Sequence, residues 1–216
     1  MVSISVYQYN VQECVYIPES SMEKISSYLA SDKVCWINVI GTNDLPFLHK
    51  LSALFNIHPL AIEDINHTYQ RAKMEDYGDF LFVVLPMFAV VDGQIDDQQV
   101  SFVLRDNFLL SFREKDYGFF KRSVGDKIVS GSGNIRKKGE DFLLYSLLDT
   151  IIDNYYTSLQ HVAQKIELLE KHILTRPADE HILSLRSLKS DVLYMRKCML
   201  PARDLISNLM RNNVDY

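Results

Sequence analysis

The stretch "EDFLLYSLLDTIIDNYYTSLQHVAQKIELLEKHILT", from Glu140 to Thr175, contains neither Gly nor Pro. Its apolar residues Leu148, Ile152, Tyr155, Leu159, Val162, Ile166, Leu169 and Ile173 step by four and three, the spacing of one helical face. A single helix of roughly ten turns is predicted. The segment "TRPAD" breaks it, and Ile182, Leu185, Leu188, Val192, Met195 and Met199 then resume the same spacing, so the two segments are expected to fold back as an antiparallel hairpin. That hairpin should bury Tyr155, Leu159, Val162, Ile166 and Leu169. Pro201 should kink or restart the second helix, which has no stop signal before Asn212. A narrow apolar stripe on so long a helix needs a partner surface, so self-association is expected.

Upstream of Arg136 the pattern differs. "ISVYQYN" and "ECVYIP" alternate like short strands, and "VCWINVIG" reads as a buried strand closed by Gly41. "TNDLPFLHKLSALFNIHP" offers Asn and Asp caps and a helical spacing at Leu48, Leu51, Leu54 and Phe55, which His58-Pro59 interrupts. "PLAIEDI" restarts a short helix with Pro59 in its first turn. "FLFVVLPMFAV", "QVSFVLR" and "NFLLSFRE" are three further strands, the last two joined at Asp106-Asn107. The fold class is therefore α/β: a mixed sheet, parallel and antiparallel, flanked by helices and followed by a long-helix hairpin. The expected division is residues 1–137 and 138–216, with "GSGNIRKKG" as a flexible basic linker between them.

With 47% hydrophobic and 24% charged residues the 216-residue chain has the composition of a folded protein. Its formal charge of -5 argues against general affinity for nucleic acid. Cys14, Cys35 and Cys198 are far apart and form no CxxC, so neither a disulfide framework nor a thiolate zinc site is signalled, and a reducing cytosol fits. "FLFVVLPMFAVV" is about half the length a membrane helix needs and contains Pro86.

No HExxH, GxGxxG, GxSxG or phosphate-loop pattern is present, and no catalytic constellation points to an enzyme. His49, His58, His67, His161, His172 and His181 are dispersed, and His161 and His172 stand too far apart on one helix to share a metal. The carboxylates are more informative. Glu63 and Asp64 end a short helix, where acids oppose the macrodipole unless something cationic meets them. Asp149 and Asp153 stand at i and i+4 and repel each other. Oxygen-only acids suit a hard cation such as Mg2+, which takes one or two carboxylates directly and keeps most of its waters. Spacing alone favours a solvated acidic face over a metal site.

The run "IHPLAIEDINHTYQRAKMEDYGDFLFVVLPMF" closely resembles the cytoplasmic domain of the CorA family of magnesium transporters. "WINVIG", "IRKKGEDFLLYSLLDTIIDNYY", "LTRP" and "LPARDLISNLMRN" resemble family segments in the same order. The resemblance implies a regulatory domain on the cytoplasmic face of the cell membrane, ahead of two transmembrane helices and a Gly-Met-Asn signature that would follow this chain. The fragment itself is expected to be soluble. In such a homopentamer, divalent cations bind between neighbouring subunits, and the matching positions are Glu63, Asp64 and Asp149, with Asp153 close by. Gln70, Arg71 and Lys73 would hold the loop rather than touch the ion. The implied ion is Mg2+, sensed and transported, with Co2+ or Ni2+ possible. Acids held about 4 Å apart across such an interface would repel by roughly 4 kcal/mol at an effective dielectric near 20, and a bound ion turns that repulsion into a bridge that biases the pore. The rivals are a zinc-transporting relative on the same scaffold and a soluble helical scaffold protein. Retention of Glu63, Asp64 and Asp149 favours magnesium over zinc.

Overall fold

The computed structural model describes residues 2–29, 32–68, 70–175 and 179–211. Seven strands form one sheet: β1 (Ser3–Tyr9), β2 (Cys14–Ile17), β3 (Val34–Ile40), β4 (Lys73–Asp76), β5 (Leu81–Val91), β6 (Gln94–Arg105) and β7 (Phe108–Arg113). Their order is β2-β1-β3-β7-β6-β5-β4, and every neighbouring pair is antiparallel except β3 with β7. The parallel pair requires a long crossover: after β3 the chain passes through two helices to the edge strand β4, and three hairpins joining β4 to β7 bring it back beside β3.

The helices are α1 (Met22–Leu29), α2 (Leu45–Phe55), α3 (Pro59–Asn66), α4 (Asp126–Ser130), α5 (Glu140–Thr175) and α6 (Asp179–Arg211). Two apolar layers sandwich the sheet. On one face Val6, Ile37, Phe82 and Phe112 pack against Ile25, Leu48, Leu51, Phe55, Ile62 and Ile65 of the first three helices. On the other, Trp36, Leu85 and Phe102 meet Phe120, Ile128, Leu143, Leu147 and Ile151. Burial on both faces explains why β5 reads as an almost unbroken apolar run.

Local choices agree with these elements. Asp44 caps α2 through its carboxylate, which accepts from Phe47 N at 3.0 Å. Asn107 takes φ +67° in the β6–β7 hairpin, and Asp92 and Gly93, at +49° and +73°, close the β5–β6 hairpin. A π-helical turn at Lys121–Gly125 leads into α4, and Gly125 there faces Tyr7, whose hydroxyl would stand 2.6 Å from any added Cβ.

The helical hairpin is present. Val162 and Leu169 of α5 are buried in the same apolar cluster as Leu188, Met195, Ala202 and Leu205 of α6, and the end of α5 meets the start of α6 at His172 and His181, as antiparallel packing requires. The register differs from expectation, because Leu159 and Ile166 are 42% and 43% exposed whereas Tyr155 and Val162 are buried. Positions seven apart face the partner helix, and the intervening members of the expected stripe rotate outward. Leu54 of α2 is likewise 38% exposed. Pro201 lies within α6, which continues through it. Residues 176–178 of the expected helix break and 212–216 at its end lie outside the described residues. "GSGNIRKKG" is no free linker: Ile135 is buried, and Arg136 donates from Nε to Ile128 O at 2.5 Å and from NH2 to Val129 O at 2.6 Å, tying the segment to the end of α4. No helix among the described residues is long and apolar enough to cross a membrane.

Candidate metal centre

His58 begins α3 by accepting from Leu60 N at Nδ1, 3.2 Å away, and Pro59 supplies a backbone preset for the first turn. Ala61, Ile62 and Ile65 turn into the core. That leaves Glu63 exposed and Asp64 half-buried in the last turn, at the negative end of the helix. The cation such an arrangement calls for is Lys73 on β4, whose Nζ lies 2.6 Å from Asp64 Oδ2 and 2.9 Å from Glu75 Oε1. Burial pulls the Lys73 pKa down, but the hydrogen bonds and charges of Asp64 and Glu75 outweigh it and hold the ammonium above its ordinary value. Tyr77 donates to Glu75 Oε2 at 3.1 Å while its ring stacks on Phe80. Burial first, then this hydrogen bond to Glu75, raises the tyrosine pKa. Glu63, Asp64, Lys73, Glu75, Asp76 and Tyr77 line a shallow cavity of about 500 Å³.

A buried glutamine sets the position of this corner. Gln99 of β6 donates from Nε2 to Asp64 O at 2.6 Å and accepts at Oε1 from Gln70 N at 3.0 Å. One side chain thereby fixes both the end of α3 and the returning loop. The loop is held by the backbone of Gln70 and the ammonium of Lys73, while the Arg71 side chain is exposed.

Asp149 and Asp153 project from the outer side of α5, opposite the line of Leu147, Leu148, Ile151 and Tyr155 that enters the core. Both line a separate cavity of about 300 Å³, which Ser123, Lys127, Ser146 and Thr150 also border. Ser123 and Thr150 share a 2.8 Å hydroxyl hydrogen bond across it. The two acidic pairs therefore open onto different cavities of the chain. Among the described residues no three His, Cys, Asp or Glu side chains converge to hold a metal ion. The donor chemistry is that of a hard cation, since the acids in both cavities offer oxygen alone and Mg2+ needs only one or two carboxylates beside its waters. At Asp64 such an ion competes with an ammonium.

Sequence reasoning did not find Gln99, Glu75 or the pairing of Lys73 with Asp64. A glutamine in the polar run "DDQQ" has the signature of a hairpin surface, and only the approach of α3 to β6 gives it a buried role.

Solved protein structures share this architecture. The soluble domain of CorA from Methanocaldococcus jannaschii superposes with a TM-score of 0.76 at 21% identity, over 97% of this chain and 80% of that one. The ZntB cytoplasmic domain from Vibrio parahaemolyticus superposes at 0.72 with 8% identity, over 99% and 82%; at these identities both likenesses establish the fold alone. The sequence matches the profile of the CorA-like Mg2+ transporter proteins over residues 31–216, and the chain belongs to that family. The cobalt/magnesium transport protein CorA of Thermotoga maritima is 33% identical over 211 residues, 97% of this chain and 60% of that protein, so the chain spans less than two thirds of that relative's length.

Proposed function

We propose that this chain is the regulatory domain of a divalent-cation transporter at the cytoplasmic face of a membrane, and that it senses Mg2+ between copies of itself. Glu63 and Asp64 of one copy are one half of the site; Asp149 and Asp153 of its neighbour are the other. In the assembled protein, a homopentamer, each ion draws together two acidic surfaces that repel when it leaves. The cargo is Mg2+, with Co2+ also accepted, and the membrane helices that carry it lie beyond this chain. Residues 1–137 present the first half-site and residues 138–216 the second, so an ion between copies links the sheet of one to the long helix of the next.

The observation that supports this reading is the separation of the two acidic pairs into different, open cavities of one chain, in neither of which three acids converge on one point among the described residues. The test is association followed by analytical ultracentrifugation across a Mg2+ titration at matched ionic strength, which removes plain screening. Asp64→Ala and Asp149→Ala should each abolish ion-dependent association. An equimolar mixture of the two variants should recover part of it, because some contacts then pair an intact Asp64 with an intact Asp149. Unaltered association in both variants means that the acids are a solvated face; loss without recovery in the mixture means that the site lies within one chain.

A further inference from the structure

His172 and His181, dispersed in the sequence, come together in the fold. His172 lies on the last turn of α5 and His181 on the first turn of α6, and their ring centroids stand 6.1 Å apart with 31° between the planes. They lie at the free end of the hairpin, beyond the buried pair Leu169 and Leu188. His172 is exposed and His181 half-buried, so solvent reaches the pair. Metal–nitrogen bonds of about 2.0–2.1 Å place two imidazoles that share one ion with centroids about 5 to 6.5 Å apart. The observed separation is about 1 Å wider than the roughly 5.2 Å of a tetrahedral ion, a gap that rotation of the two side chains closes with the helices in place.

We propose that His172 and His181 together bind a borderline transition-metal ion, of the Co2+, Ni2+ or Zn2+ class, and that the ion clamps the two long helices at their tip. Imidazole nitrogen suits these ions and is a poor ligand for Mg2+, which prefers oxygen. Water fills the remaining positions, so the affinity is that of a two-ligand site and depends on both rings being neutral. The site is chemically distinct from the carboxylate cavities, and it responds to ions that a magnesium sensor does not separate from its own.

The test is calorimetric titration of the chain with NiCl2 in the presence of excess MgCl2, which saturates the oxygen sites, with His172→Gln, His181→Gln and Asp64→Ala compared. One Ni2+ per chain is expected for the unaltered protein and for Asp64→Ala, with at least about a tenfold loss of affinity in each histidine variant. Amide exchange gives the second readout: Ni2+ should slow exchange at Leu169–Thr175 and Asp179–Leu185, and Mg2+ should not. Three results overturn the proposal: no Ni2+ binding by the unaltered chain under excess Mg2+, histidine variants that bind as it does, or a loss confined to one histidine, which describes a lone surface imidazole. Circular dichroism of the exposed-site variant His172→Gln verifies that a lost signal is not a lost fold.

Discussion

The ammonium of Lys73 stands 2.6 Å from Asp64 Oδ2, so the carboxylate that the family resemblance assigns to a divalent ion already holds a monovalent charge of this same chain. Lys73 also meets Glu75, and it resolves the unfavourable placement of acids at the end of α3. An ion entering the cavity must displace this ammonium or share its ligand. Lys73→Gln should therefore raise Mg2+ affinity, by about tenfold if roughly 1.4 kcal/mol of competition is removed. The ion-free protein should lose about 1 kcal/mol of stability, in line with a partly exposed ion pair. Thermal melts across a Mg2+ titration measure both. Weaker Mg2+ binding in the variant would make Lys73 a support of the site rather than its competitor.

The corrected register of the hairpin separates residues that one apolar stripe had joined. Met195 is 1% exposed against α5, and its replacement by Ala should cost about 2–5 kcal/mol. Leu159→Ala and Ile166→Ala, at more than two-fifths exposure, should fall within about 1 kcal/mol of the unaltered protein. Urea denaturation gives the comparison. A large loss at Leu159 together with a small one at Met195 would restore the first register.

The contrast marks where the sequence was legible. Glu140–Thr175 could be read as one helix because helix formers and the absence of Gly and Pro act locally. Its buried line could not be read, because apolar residues occupy two adjacent lines and a spacing of 3.5 drifts against the 3.6 residues of an α-helical turn. The strands of the sheet centre were legible from their apolar runs. β4 was not, since "KMED" is an edge strand whose identity comes only from pairing Lys73 with Val84 and Met74 with Val83. The acids Glu63, Asp64, Asp149 and Asp153 could be named from the sequence, but their distribution over two cavities depends on where α3 and α5 cross the sheet on opposite faces.

Arg113 offers a test by pH. It is buried beneath Phe120, donates to Asn38 Oδ1 at 2.7 Å, and is neutralised by Asp116 Oδ1 at 2.9 Å. Burial raises the Asp116 pKa, but the Arg113 charge and the Gly118 amide outweigh it and hold the carboxyl below its usual range. A carboxylate depressed in the folded state contributes stability above its unfolded pKa of about 3.9, and that contribution is lost as pH falls through the folded value. Asp116→Asn should thus destabilise at pH 7 and approach the unaltered protein as pH falls through the depressed folded-state value. Because the Asp116 side chain is 44% exposed, the loss should be about 1–2 kcal/mol rather than that of a fully buried pair. Parallel melting curves that never converge at low pH would assign the loss to geometry instead of charge.

Gln98 and Gln99 are adjacent on β6, both buried, and they pin different parts of the chain. Gln99 holds Asp64 O and Gln70 N, whereas Gln98 accepts from Lys115 N at 2.8 Å and donates to Lys115 O at 3.1 Å. Replacing either by Leu strands one donor and one acceptor of part-buried hydrogen bonds, a cost of at most about 1–3 kcal/mol and less at the exposed Lys115. Their effects on ion response should differ. Gln99→Leu loosens the end of α3 that positions Glu63 and Asp64, so the stabilisation gained from Mg2+ should shrink. Gln98→Leu leaves that corner intact and should keep the full increment. Melting temperatures of both variants with and without Mg2+, at equal protein concentration because the proposed binding form is the assembled one, decide the matter. Equal increments in the two variants would mean that the placement of Asp64 by Gln99 has no part in holding the ion.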